Sequence, residues 1–183
     1  RIDFLAHHAP LTGMPNRASF RAAVHDAIAR ARALPRQSVA VLMLDLDRFK
    51  HVNDVLGYAS GDRLLKAVAA RLRDETVRDG DIVARLGGDQ FALLLWGADT
   101  DLALQVADRI ARSFERPLAM GDQTVDLSAG MGIACWPAHA GDADALLGRA
   151  EVALNGAKRR NDGAMVYDAA ADVASAPTLS LLS

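Results

Sequence analysis

Apolar positions along the chain follow two periods that alternate from segment to segment. From Ala18 to Ala33 the residues Phe20, Val24, Ala27, Ile28 and Ala31 recur at helical spacing, and Pro35 closes the segment. Val39 to Leu44 is instead an unbroken, partly β-branched apolar run, as in a strand buried on both faces, and it leads straight into Asp45-Leu46-Asp47. A short helix is expected from Arg48 to Leu56, then a turn at Gly57. A longer helix follows from Gly61 to Arg73, with Leu64, Leu65, Val68, Ala69 and Leu72 on its inner face. Two apolar runs, Ile82 to Leu86 and Phe91 to Trp96, flank Gly87-Gly88-Asp89-Gln90 in the pattern of a β-hairpin. Ala103, Val106, Ala107, Ile110 and Phe114 mark another helix, Val125 to Ala134 a strand, Leu146 to Ala157 a last long helix, and Met165-Val166-Tyr167 a closing edge strand. Ahead of all these, Ile2 to His8 reads as the tail of a helix, which Pro10, Gly13 and Pro15 prevent from continuing.

Composition narrows the class. With 183 residues, 51% of them hydrophobic and 24% charged, the chain is expected to form one globular domain. Residues 1–168 are assigned to it, and the Ala- and Ser-rich residues 169–183 to a linker or tail. A formal charge of -2 argues against a protein that wraps nucleic acid, so any phosphate ligand must be held locally. The single Cys135 cannot form an internal disulfide, and none of the five histidines has ligand spacing, so they read as surface or turn residues. Trp96 and Trp136 read as packing residues at strand ends. A reducing, cytoplasmic setting is expected, without membrane contact by this segment, because no apolar run is long enough to span a bilayer. The chain opens at Arg1 without a methionine and is read as part of a longer protein, for which a membrane anchor elsewhere is left open.

No GxxxxGK[ST] loop, strand-to-helix GxGxxG or G-x-S-x-G elbow is present. What remains is a set of acids: Asp45 and Asp47 at the end of a central strand, and Asp89 in a hairpin turn. If the hairpin pairs beside that strand, Asp45 and Asp89 converge within reach of one divalent cation. Hard oxygen ligands suit Mg²⁺ or Mn²⁺ bridging phosphate oxygens. Acids at strand ends and in glycine turns are also common as plain solvated residues, and spacing alone does not separate the two readings.

The literal motifs carry the argument further. Gly87-Gly88-Asp89-Gln90-Phe91 resembles the GG(D/E)EF signature, and Leu11-Thr12-Gly13-Met14-Pro15-Asn16-Arg17 the LTGLxNR segment of the same family. Asp45 to Asp54 resembles its DIDxFKxxND run, Gly57 to Asp62 its GHxxGD, and Ser128 to Ala134 and Ala150 to Lys158 extend the match. The chain thus resembles the GGDEF domains of bacterial diguanylate cyclases. That resemblance implies an α/β fold with a ferredoxin-like or palm-type, mostly antiparallel central sheet surrounded by helices. It also implies condensation of two GTP molecules to cyclic di-GMP across a homodimer. By position, Asp45, the Leu46 carbonyl and Asp89 would hold the metal, and Asn53 and Asp62 the guanine edge. Backbone amides from Arg48 through Phe49 to Lys50, with the Lys50 and Lys158 side chains, would hold phosphates. Without the resemblance, Asn53 is a helix or turn residue, Asp62 an N-cap before Leu64, and both lysines are solvated. Arg78 and Asp81 form an RxxD pattern at the offset of the family's inhibitory product site, with Arg109 where a second arginine often helps from the next helix; otherwise they form an exposed ion pair worth little.

The match breaks at the fourth signature position, where Gln90 stands in place of glutamate. A carboxamide keeps the shape but cannot accept a proton at neutral pH, so cyclase activity is expected to be weak or lost. Ala9 also replaces the aspartate that opens the LTGLxNR segment, and Asp162 takes a place where the family often has arginine. The alternative is a non-catalytic module that binds GTP or cyclic di-GMP and controls an adjacent domain, such as an EAL phosphodiesterase.

Overall fold

In a computed structural model, which describes residues 7–75, 78–170 and 172, the fold is built around β1 (Val39–Leu46). Every residue of this strand is buried except the half-buried Asp45. β1 pairs antiparallel on one side with β3 (Gln90–Trp96) and on the other with β6 (Ala129–Trp136). β2 (Ile82–Gly87) completes the hairpin with β3, and β7 (Ala164–Val166) lies parallel to β6, giving the order β2-β3-β1-β6-β7. The sheet is therefore mostly antiparallel, as expected for the α/β class.

Period-two alternation divides the core between the two faces. Ala40, Leu42, Leu44 and Leu46 join Phe91, Leu93 and Ile133 beneath α3 (Tyr58–Glu75) and α4 (Thr100–Ser113). Val41, Met43, Ala92 and Leu94 face α1 (Arg17–Arg32) and α5 (Ala143–Arg160). Side chains of Asn16, Asp99 and Asp142 cap α1, α4 and α5 through the amides of Ser19, Leu102 and Ala145 at 2.8–2.9 Å. These caps start α4 and α5 three residues ahead of the first apolar positions that marked them in the sequence. Trp96 carries the Arg30 guanidinium 4.7 Å from its ring centroid, and Trp136 is buried, so both pack at strand ends.

Three expectations are corrected. The run from Val125 to Ala134 is two strands: β5 (Gln123–Val125) pairs with β4 (Leu118–Met120) in a separate small sheet, and β6 begins at Ala129. Gly121, at φ +66°, makes that hairpin turn, and the Asp47 amide donates to the Ser128 carbonyl at 2.9 Å, one step beyond the Leu46–Ala129 pair of β1 and β6. α3 begins at Tyr58 rather than Gly61, because Gly57 at φ +91° separates it from α2 (Phe49–Leu56) and the chain re-enters helix at once. Asp62 therefore lies inside α3 and is not its N-cap. The edge strand starts one residue earlier than expected and leaves out Tyr167. The helix tail at Ile2 to His8 lies outside the described residues except for its last two.

α5 crosses β6 at very close range. A Cβ on Gly132 would stand 2.1 Å from the Leu154 amide nitrogen and 2.4 Å from the Ala150 carbonyl oxygen, backbone atoms that cannot rotate away. Gly132→Ala should therefore cost about 3 kcal/mol or more, or prevent folding. Urea unfolding measures it, and a loss below about 1 kcal/mol would contradict the close crossing.

Candidate functional site

The register of β1 and β3 sets Asp45 opposite Gln90, and the Leu46 amide donates to the Asp89 carbonyl at 3.2 Å. Asp45 and Asp89, more than forty positions apart in sequence, are thereby brought together. Their carboxyl groups are near enough for a proton on one to bond the other. Burial, that hydrogen bond and the repulsion of Asp45 push Asp89 up to about 6. Lys158, from the last turn of α5, donates to Asp45 Oδ2 at 2.6 Å. Burial works against its charge, but the bond to Asp45 and the fields of Asp45, Asp89 and Asp47 outweigh it and raise its pKa. Asp45 Oδ1 is buried with no hydrogen-bond partner.

An orphaned carboxylate oxygen beside a second acid is what a hard divalent cation satisfies, so the residues fit Mg²⁺ or Mn²⁺. No group of three or more His, Cys, Asp or Glu side chains with metal spacing exists among the described residues. The protein's share would be the two carboxylates and a main-chain carbonyl. The turn bearing Asp89 is possible because Gly87 and Gly88 adopt φ of +140° and +49°. Arg85 braces it from β2, donating through Nε and Nη2 to the Gly88 carbonyl at 3.2 and 2.8 Å. Burial lowers the Arg85 pKa, against the fields of Asp62 and Asp89.

Gln90 does not turn toward the acids. Its Oε1 accepts from Arg17 Nη2 at 3.1 Å, and its Nε2 reaches the Glu151 carboxylate at 3.3 and 3.4 Å. The amide thus bridges a cation on α1 and an anion on α5, using both its acceptor and its donor.

Beyond β1, Arg48 takes a left-handed conformation (φ +61°) and α2 begins without a side-chain cap. The first-turn amides at Phe49 and Lys50 are thus left without a side-chain acceptor, in the arrangement that receives anions at helix starts. A cleft of about 750 Å³ is lined by Asp47, Arg48, His51, Ser128, Lys158 and Asn161, among others. Asp47 is drawn to one wall, where Ser128 Oγ donates to its Oδ2 at 2.7 Å. Lys50 is exposed on α2. On the other side of α2, the Asn53 carboxamide lies against Gly61 of α3, next to the exposed Asp62.

The RxxD residues sit away from this cluster. Asp81, with 3% of its side chain exposed, accepts from the Trp96 amide at 3.0 Å, and Arg78 donates to the Trp96 carbonyl at 2.6 Å. Burial raises the Asp81 pKa, against the Trp96 bond and the charges of Arg78 and Arg109. An exposed pair worth little is therefore not what the chain builds. Arg78 and Asp81 clamp the end of β3, and Arg78 Nη1 is buried without a partner.

Sequence reasoning missed the roles of Arg17, Arg85, Ser128 and Glu151. Three of them stand inside motifs already quoted, and Arg85 stands two residues before the glycines. His139 lies in the turn after β6, in line with a surface or turn setting, and is half-buried there: its Nδ1 accepts from the Cys135 amide at 2.9 Å, and burial lowers its pKa, helped by Arg149. No helix among the described residues is long and apolar enough to cross a membrane.

Fold and site together define a nucleotidyl cyclase-like domain. The sequence profile of the family described as diguanylate cyclase, GGDEF domain, matches residues 6–164, and the chain belongs to that family. It is a domain of cyclic di-GMP signalling. Diguanylate cyclase TpbB of Pseudomonas aeruginosa UCBPP-PA14 is 45% identical over 163 residues, covering 86% of this chain and 36% of TpbB. The solved GGDEF domain of TpbB from strain PAO1 superimposes with a TM-score of 0.83 at 43% identity, covering 88% of this chain and 95% of that one. Cyclic di-GMP phosphodiesterase NbdA of Pseudomonas aeruginosa PAO1 is 35% identical over 154 residues, 84% of this chain and 19% of NbdA. The chain thus spans about a third of TpbB and a fifth of NbdA.

The raised Asp89 pKa gives a pH signature. The folded chain holds this proton more tightly than the unfolded one, so the stabilisation is complete below about pH 4 and is lost as pH rises through about 6. Discounted for solvent screening, the loss is about 1–2 kcal/mol, or a few degrees of melting temperature. Asp89→Asn should remove this part of the pH dependence and melt higher at pH 7.5. Parallel melting profiles for the two proteins, without divalent cations, would refute the crowded acid pair.

Proposed function

We propose that the domain binds GTP with a divalent cation and has weak or absent cyclase activity, serving chiefly as a nucleotide-responsive regulatory module. Asp45, the Leu46 carbonyl and Asp89 are assigned to the cation. Asn53 and Asp62 are assigned to the guanine edge. The amides at Arg48, Phe49 and Lys50, with the Lys50 and Lys158 side chains, are assigned to the phosphates. Mg²⁺ or Mn²⁺, when bound, would neutralise charge on phosphate oxygens. Release of Lys158 from Asp45 would then free its ammonium for the triphosphate.

The observation that carries the reading is the commitment of Gln90. In the family's reaction the 3'-hydroxyl of one GTP attacks the α-phosphate of the other across a homodimer, and pyrophosphate leaves. A carboxamide already tied to Arg17 and Glu151 offers that hydroxyl no base. General-base help is worth about 10²- to 10⁴-fold in rate, so its loss leaves binding intact and turnover small.

Residues 1–168 are proposed as the domain and 169–183 as a connector. The short share of TpbB and NbdA that the chain spans supports additional domains in the parent protein, a phosphodiesterase among the candidates. A second reading concerns Arg78, Asp81 and Arg109 as a site for cyclic di-GMP. The buried, unpartnered Arg78 Nη1 favours it, although Asp81 would have to release the Trp96 amide.

Calorimetry with Mg²⁺, GTP and cyclic di-GMP, with product followed in the same samples, tests the proposal. GTP binding with little or no product is expected, and turnover at rates of ordinary cyclases that vanishes in Asp89→Ala would overturn it. Gln90→Glu in a forced dimer should raise product formation at least about tenfold. No gain there would mean that more than this one side chain is missing. Arg78→Ala should weaken cyclic di-GMP binding about tenfold without altering GTP binding; unchanged affinity would remove the second reading.

A further inference from the structure

Resting on the assignment of Asn53 and Asp62 to guanine, we infer that Gly61 is a positioning residue for base selectivity. Its missing side chain is the space in which the Asn53 carboxamide is held beside Asp62. An ideal Cβ on Gly61 would stand 1.7 Å from Asn53 Oδ1 and 2.9 Å from its Cγ, with Phe49 Cζ at 3.4 Å. No side chain other than hydrogen is compatible with Asn53 where it lies.

The backbone does not ask for glycine here. Gly61 is helical, within α3, its amide donates to the Gly57 carbonyl at 3.1 Å, and its φ is not positive. Glycine inside a helix is disfavoured relative to alanine, so its presence is explained by space and not by conformation. The contrast with Gly132 is instructive. There an added methyl meets backbone and must disrupt the packing of α5, whereas at Gly61 it meets the end of a rotatable side chain. A methyl at 61 therefore displaces Asn53 and spares the fold.

The corner is built to hold that amide. The Asn53 carbonyl accepts from the Gly57 amide at 2.9 Å, closing α2, and α3 starts at the next residue, which brings Asn53 and Gly61 face to face. The Asn53 carboxamide and the Asp62 carboxylate make no hydrogen bond to any described residue, so both edges are available. A carboxylate accepts and a carboxamide can donate, which complements the donor and acceptor edges of guanine and mismatches adenine. Selectivity of this kind comes from polar groups left unpaired by the wrong base, and it requires the amide to be held in place.

Affinities for GTP and ATP are to be measured for the unaltered chain, Asn53→Ala, Gly61→Ala and the double variant, with melting temperatures alongside. Gly61→Ala should melt no lower than the unaltered chain, lose about tenfold in GTP affinity, and leave ATP affinity unchanged. The double variant should bind GTP no more weakly than either single one, because both remove the same contact. GTP affinity retained in Gly61→Ala but lost in Asn53→Ala would overturn the role of Gly61 and leave the guanine site standing. GTP affinity unchanged in Asn53→Ala, or absent from the unaltered chain, would overturn the guanine assignment and the inference with it. If Gly61→Ala melts early, restoration by Asn53→Ala supports the contact, and failure to restore refutes it.

Discussion

The cluster around Asp45 and Asp89 takes its position from β1, a strand buried on both faces and hydrogen-bonded along both edges. Such a strand cannot slide, since a shift of one residue would carry Val41 and Met43 to the face of Leu42 and Leu44 and expose neither set to a cavity that fits it. Its end is therefore a fixed platform. Asp45 is the first residue at which the strand leaves full burial, and the hairpin pairing then sets the carbonyl of Asp89 on the neighbouring amide. Two acids are forced together by backbone geometry before any side-chain preference is consulted.

The cost of that meeting shapes the surroundings. Lys158 leans on Asp45, Arg85 stands near Asp89, and Asp89 itself holds its proton more tightly than a free carboxyl. One oxygen of Asp45 still has nothing to bond. Gln90, directly across from Asp45, adds no third charge and serves as a neutral link between α1 and α5. On the proposed reading, the site keeps the groups that would hold phosphates and a cation and lacks the carboxylate that would remove a proton.

Much of this was legible in the residues. The unbroken run ending in Asp45, the double glycine before Asp89 and the helical spacing in α1, α3 and α5 are strong local signals, and the strands and helices form where they point. The split between β5 and β6 was not legible, because Val125 and Leu127 continue the apolar pattern through residues 126–128, which belong to neither strand. The start of α3 was obscured by Gly61, whose place in the helix is explained by a side chain eight positions away. Asp45 and Asp89 were found by spacing and motif. Arg17 and Glu151 were not, since a contact across three elements leaves no trace in the spacing of any one of them.

The pair between Asp45 and Lys158 joins residues 113 positions apart, which matters for how the molecule comes into being. Local pieces such as the β2–β3 hairpin close small loops, whereas this contact must wait until α5 has been threaded onto β6. Until then the chain carries two neighbouring carboxylates with no ammonium opposite them. The last helix in the sequence is thus also the one that relieves the crowding, and the end of the sheet that carries the acids is complete only once α5 has docked.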